Sequence, residues 1–396
     1  MVLSAMMKQA SEALEILFDL IRFDTTSRRS NLELIDYVRA FLERRDIPHD
    51  LTWNEDRSKA NLFATLGEER APGIVLSGHT DVVPVDGQEW SSDPFEPEVR
   101  NGRLYGRGSC DMKGFIAMCL AKADDILEAD LPLPVHFAFS YDEEVGCIGV
   151  RGLLADLKKR AVLPKACIIG EPTDMSVIRA HKGMLFKRCT VHGRSAHSSL
   201  VHLGVNAVAR AARAIAHIED IGERIRREGP FDDQFDPPHT TLHCGVIHGG
   251  TANNIIPDRC QFDFEIRNLP DQPTLPLFEE VTAYTRELER EMHAVDETTG
   301  FEWQTLAEYP GMNTSPEEPV VDMVSRLLDD YRMPGKVSYG TEGGHFQVAD
   351  IPTVICGPGS IEQAHKPDEF VELAQLDRCG AFIDALIRDM GPPGAP

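Results

Sequence analysis

The sequence predicts an α/β protein: a discontinuous catalytic domain with a mixed sheet flanked by helices, plus an inserted ferredoxin-like α+β domain. Three observations lead there. Strand-like and helix-like segments alternate over roughly the first 180 residues. The middle of the chain changes to a β-α-β-β-α order with room for a last strand. The C-terminal part then returns to the first vocabulary. At 396 residues the chain exceeds what one core usually serves. The expected division is 1–182 with 300–396 for the catalytic part and 183–299 for the insertion.

The chain opens on an amphipathic segment with Leu14, Leu17, Phe18 and Ile21 on one face. Acids inside its apolar part argue against a signal peptide. Strands are expected at 60–66 (ANLFATL), 73–78 (GIVLSG), 134–141 and 166–170 (ACIIG), with helices at 113–128 and 149–160 between them. In the middle, 184–193 alternates like a half-exposed strand. Residues 204–219 form an amphipathic helix with Val205, Val208, Ala212 and Ile215 inward. Strands at 240–248 and 258–267 and a helix at 275–291 follow, then GFEWQTL at 300–306. The last part reads as a helix at 317–332, a strand at 352–356, a helix at 373–389 and a GPPGAP tail.

The composition excludes some classes of function. A net charge of −24 repels phosphate backbones, so nucleic acid is not an expected partner. The same field suits metal ions and amine-bearing substrates. No run approaches the roughly 18–20 apolar residues that a membrane span needs. Nine cysteines occur without a CxxC pair, which fits reduced thiols in a cytoplasm.

Five short stretches carry side chains suited to chemistry. In LSGHTDVVP, His79 follows a buried strand and Asp81 stands two residues on, on the same side at strand spacing. That is a metal ligand with an orienting carboxylate, or a plain His–Asp hydrogen bond at a loop. In YGRGSCDMKGF, Asp111 precedes a helix that it could simply cap. Cys110 beside it has no local His or second Cys to activate it. In FSYDEEVGC, three acids leave a strand together, and Glu143 and Glu144 would point to opposite faces if the strand continued. In IIGEPTD, Glu171 follows a buried strand directly; in EQAHKPDEF, His365 lies in a loop before the last helix. Each stretch alone also reads as an ordinary turn. Together six side chains, His79, Asp111, Glu143, Glu144, Glu171 and His365, mostly fall at strand exits or adjacent loops, where open α/β sheets form their sites. Carboxylates with imidazole suit two divalent metals, Zn²⁺ first, then Co²⁺ or Mn²⁺. One acid is left over, as a general base would be.

The order GHTDVVP, YGRGSCDMKG, DEEVG, GEPTD and AHKPDEF resembles the di-zinc amidohydrolases, the family of acetylornithine deacetylase, succinyl-diaminopimelate desuccinylase, aminoacylase and glutamate carboxypeptidase. The resemblance implies that His79 and Glu171 bind one metal, Glu144 and His365 the other, and Asp111 both. It implies that Asp81 orients His79 and that Glu143 is the general base. It also implies a homodimer formed through the insertion, with His197 of GRSAHSS reaching the other subunit's site. Asn253, Asn254 and Arg267 would contact substrate. GSCDMKGF, EIRNLP and YGTEGGHF lean toward the acetylornithine deacetylase branch, where Glu342 could hold a substrate amine. Gly343–Gly344–His345 after it departs from that branch. The implied substrate is a small N-acyl-L-amino acid.

Overall fold

The computed structural model describes residues 2–68 and 71–391, and the side chains from residue 12 onward. Residues 392–396 of the GPPGAP tail lie outside the described residues. The chain forms two compact units. One comprises residues 1–180, 312–335 and 341–396; the other comprises 181–311 with 336–340.

The first unit is built on a sheet whose central strands are buried along their whole length. Ala60–Leu66, Ile74–His79, Val135–Ser140 and Ala166–Ile169 have no exposed position. A strand covered on both faces must be nearly continuous in apolar residues, and these are. Among their polar members, Thr65 Oγ1 lies 3.0 Å from His136 Nδ1, and Ser77 Oγ donates to the Ala138 carbonyl at 3.3 Å. Outward from the antiparallel edge the order is His49–Trp53, Ala60–Leu66, Val135–Ser140, Ile74–His79, Ala166–Ile169, Thr353–Ile355, Ile178–His181. Ile74–His79 runs parallel to both its neighbours. Thr353–Ile355 comes from beyond the insertion and pairs parallel with Ala166–Ile169.

Helices seal the faces. Ala13, Ile16, Leu17, Leu20 and Ile21 of Val2–Arg22 join Leu376, Phe382, Ile383 and Leu386 of Leu373–Met390 in one core. The predicted helix at 113–128 divides into Lys113–Ala121 and Ala123–Glu128. Between them the nearly buried Lys122 sends its ammonium to Asp125 and Asp384, at 3.1 and 2.6 Å. Lys113–Ala121 is buried at every residue and presses on the strand exit at Gly170. A Cβ at Gly170 would sit 1.9 Å from the Phe115 ring, so only glycine admits that approach.

The second unit is a four-stranded antiparallel sheet in the order Thr241–Gly249, Arg259–Asn268, Gly183–His192, Gly300–Tyr309. Helices Ala207–Glu228 and Leu275–His293 complete a βαββαβ chain. Two expectations need correcting. Residues 300–311 belong to this unit and not with the catalytic part, because Gly300–Tyr309 pairs along the whole of Gly183–His192. Residues 336–340 join it as well. In the first helix Ala207, Ala211, Ala214 and Ile218 are buried, Val208 and Ile215 pack partly buried against the same core as expected, and of the expected inward set only Ala212 is exposed. The helix begins only after Asn206, whose side chain accepts from the Ala209 amide at 2.9 Å. Val205 lies just before the helix and is buried in the same core, as expected.

All nine cysteines are unpaired. Among the described residues, no helix is long and apolar enough to cross a membrane.

Candidate metal centre

Three parallel strands end at the same edge of the first unit's sheet, and each delivers an acid or imidazole there. Ile74–His79 ends on His79, Val135–Ser140 runs into the 142–144 turn, and Ala166–Ile169 leads to Glu171. Asp111 arrives from the turn before Lys113–Ala121. It caps nothing: that helix has Met112 at its N-cap and no side-chain cap bond. His365 comes from the loop before the last helix.

These side chains converge. His79 Nε2 lies 3.0 Å from Asp111 Oδ1 and 3.5 Å from Glu171 Oε1. His365 Nε2 lies 3.2 Å from Asp111 Oδ2 and 3.1 Å from Glu144 Oε2. Asp111 thus spends one oxygen on each imidazole. Two groups of three have donor atoms within 4.8 Å of one another: His79, Glu143 and Glu171, and His79, Asp111 and Glu144. His79, Asp111 and Glu171 are buried, whereas the His365 side chain is 53% exposed and marks the open side.

The electrostatics fit divalent cations. Burial raises the Glu143, Glu144 and Glu171 carboxyls, and their mutual repulsion adds to it. Burial opposes protonation of His79, but Asp111, Glu171 and Glu143 overcome it and hold its pKa well above the usual value. Hydrogen bonds that its ring donates to Asp111 and Glu144 push His365 up to about 11. So much negative charge calls for positive charge in the same small volume. Glu144 Oε1 is buried without a hydrogen-bond partner, an oxygen with a lone pair to give. A donor set of carboxylates and imidazoles around a shared aspartate suits two hard or borderline divalent ions.

Asp81 does not act as its spacing implies. The strand ends at His79, two residues before Asp81. The Asp81 main-chain carbonyl meets His79 Nδ1 at 2.8 Å, while its carboxylate stays 3.6 Å away. That carboxylate instead accepts the amides of Glu143 and Glu144, at 3.1 and 3.3 Å. Asp81 still orients His79, through its backbone, and its side chain holds the turn that carries the two glutamates.

Sequence reading missed the residues behind the ligands. Glu369 accepts the amides of Gly108, Cys110 and Asp111, at 3.1, 2.9 and 3.0 Å, and so fixes the backbone of the shared aspartate. Gln88 links Arg107 to the His365 carbonyl, at 2.6 and 2.9 Å. Cys110 is buried, with its Sγ 3.4 Å from the Ser360 carbonyl, and burial pushes its thiol well up, which removes it as a nucleophile. Glu342 is 2% exposed and has one carboxylate oxygen, Oε1, without a hydrogen-bond partner, so it is no surface loop acid.

In the second unit, His197 is exposed, with Nδ1 2.7 Å from Ser199 Oγ. The Ser198 amide donates to the Asn254 carbonyl at 3.0 Å, so GRSAHSS and TANN run side by side and bring His197, Asn253 and Asn254 together. Arg267 has its two-point face taken by Glu265, at 3.0 and 3.2 Å, and its Nη1 directed at Tyr309 Oη at 3.4 Å. A carboxylate would have to displace Glu265 or approach at Nη1.

The chain is similar to known proteins. The sequence profile of peptidase family M20/M25/M40 matches residues 75–389. The acetylornithine deacetylase of Proteus mirabilis (strain HI4320) is 34% identical over 374 residues, 92% of each chain. That of Myxococcus xanthus is 34% identical over 372 residues, 93% of this chain and 94% of its own. An M20 family metallo-carboxypeptidase from Sulfolobus solfataricus superposes with a TM-score of 0.77 at 16% identity, covering 95% of this chain and 98% of the other. The chain belongs to peptidase family M20/M25/M40 and is a metal-dependent amidohydrolase.

Proposed function

We propose that the protein hydrolyses the amide bond of an N-acyl-L-amino acid, with N-acetyl-L-ornithine as its leading substrate. The observation that carries the substrate is the 34% identity, over more than nine-tenths of the chain, to proteins named acetylornithine deacetylase. What supports the chemistry is the pair of donor clusters sharing His79, one of which includes Glu143.

In this reading His79 and Glu171 would hold one cation, Glu144 and His365 would hold the other, and Asp111 would serve both. Zn²⁺ is the first choice, with Co²⁺ or Mn²⁺ as replacements. Such ions supply Lewis acidity, polarising the acyl carbonyl and lowering the pKa of water toward about 7. Glu143 is the proton carrier. Its carboxylate takes a proton from the attacking water as the new C–O bond forms, then gives it to the amine nitrogen as the C–N bond breaks. Glu342 is assigned the substrate's side-chain ammonium, on the strength of its unpartnered buried oxygen. Arg267, Asn253 and Asn254 are assigned the α-carboxylate end. His197, given by a second copy in a homodimer, is assigned the developing oxyanion.

The test is a deacylation panel on metal-depleted protein with Zn²⁺, Co²⁺ or Mn²⁺ restored. N-acetylornithine, N-acetylmethionine, succinyl-diaminopimelate and a dipeptide are compared by kcat/KM. N-acetylornithine should lead by at least about tenfold, on the order of one good polar contact. A dipeptide or succinyl substrate that leads instead assigns the chain to another activity of the family.

A further inference from the structure

We propose that Ser27 and Lys59 are positioning residues for the turn that carries Glu143 and Glu144. Four separate segments close a ring of hydrogen bonds behind that turn. Ser27 Oγ donates to Asp81 Oδ2 at 2.7 Å. Asp81 in turn accepts the Glu143 and Glu144 amides, one on each oxygen. Asp142, the residue before them, forms an ion pair with the Lys59 ammonium. The same ammonium donates back to the Ser27 carbonyl and closes the circuit. Ser27 and Asp81 are buried, and the Lys59 and Asp142 side chains are only 12% and 16% exposed.

The ring answers a local need. Asp142 has a φ of +55°, in the left-handed region that few side-chain-bearing residues enter unaided. That reversal aims two successive acids into the site when a continuing strand would send them to opposite faces. Hydrogen bonds inside the turn, from Cys147 and Ile148 to the Glu143 and Asp142 carbonyls at 2.8 and 3.0 Å, shape it but do not anchor it to the sheet. The anchors are Asp81 on one flank and Lys59 on the other, and Ser27 joins them. Ser27 is itself fixed by its amide on the Val82 carbonyl at 3.2 Å. None of the four side chains needs to touch substrate. Their effect passes through the backbone of residues 142–144, so the loss of one link should blur both glutamates together.

This inference rests on the roles given above to Glu143 and Glu144. The test measures kcat, KM and Zn²⁺ affinity by chelator competition for full-length Lys59→Met, Lys59→Arg and Ser27→Ala, with melting curves to show that each is folded. Lys59→Met and Ser27→Ala should each lower kcat and Zn²⁺ affinity about tenfold, as expected for groups behind ligands, with KM within about twofold. Lys59→Arg keeps the charge and should recover most of both. Folded Lys59→Met with unchanged kcat and Zn²⁺ affinity would overturn the proposal, as would Lys59→Arg that recovers nothing. Ser27→Ala keeps the question decidable if Lys59→Met does not fold. Retained Zn²⁺ affinity in Glu144→Ala would instead sink the reading of the site on which the ring depends.

Discussion

Arg107 and Glu369 form an ion pair at 2.7 Å with each side chain only 1% exposed. Breaking such a pair from one side leaves an uncompensated buried charge and typically costs about 3–5 kcal/mol. Glu369→Ala should therefore lose stability on that scale in urea unfolding. Replacing both partners by apolar residues often repairs a buried pair. Here Arg107→Met with Glu369→Leu should not, because the amides of Gly108, Cys110 and Asp111 would lose their acceptor. Recovery of the double variant to parental stability would show that the ion pair alone matters.

Glu143 and Glu144 are neighbours with unequal prospects. Glu143→Ala should retain metal and lose kcat by about 10²–10⁴-fold, the usual contribution of a positioned base. Glu144→Ala should lose metal as well, because Glu144 Oε2 lies 3.1 Å from His365 Nε2 and its other oxygen has no partner. Metal content by elemental analysis beside single-turnover rates separates the two. A Glu143→Ala protein turning over at near parental rate would reverse the assignment.

His197 is exposed in its own chain, as a residue given to another chain would be. His197→Ala should cut kcat with metal content unchanged. Mixing a chain lacking His197 with one lacking Glu143 should restore activity that neither parent has, since one of the two sites in the mixed dimer is complete. No recovery would confine His197 to its own chain.

His136 sets an acid limit on stability. Burial, with Arg160 nearby, lowers its pKa from 6.5 to about 4 in the folded protein. Between those values the unfolded chain binds the proton and the folded chain does not. The stabilisation is full above about pH 6.5 and is lost as pH falls toward 4, a difference of about 3 kcal/mol. His136→Gln should flatten melting temperature against pH across that window. An unchanged slope would place the acid sensitivity elsewhere, for example at His181, which burial lowers in the same way.

His79, Glu143, Glu144 and Glu171 were legible in the sequence because they stand at or just beyond buried strands, whose exits are readable from apolar runs, whereas Asp111 and His365 lie in loops before helices and were legible only from their motifs. Asp81 was placed beside His79 as expected, but the atom nearest His79 Nδ1 is its main-chain carbonyl and not its carboxylate, a choice that no residue pattern shows. Glu369 was quoted within its motif without a role, since its partners are backbone amides that no residue pattern identifies. The end of the insertion was misplaced because Gly300–Tyr309 alternates like any exposed strand, and only its pairing with Gly183–His192 shows where it belongs. Ile178–His181 and Met312–Asn313 are too short to leave a periodic signal.

The late strand Thr353–Ile355 has a consequence for synthesis. It lies between Ala166–Ile169 and Ile178–His181, so the nascent sheet has a slot open from the time those strands leave the ribosome. At the general rate of roughly 5–20 residues per second, the slot stays open for about ten to forty seconds while the insertion is made. During that interval the first half of the protein presents unpaired strand edges and an incomplete set of donors. Chaperone demand should therefore peak before the last strand emerges, and truncation just short of Thr353 should give an insoluble chain.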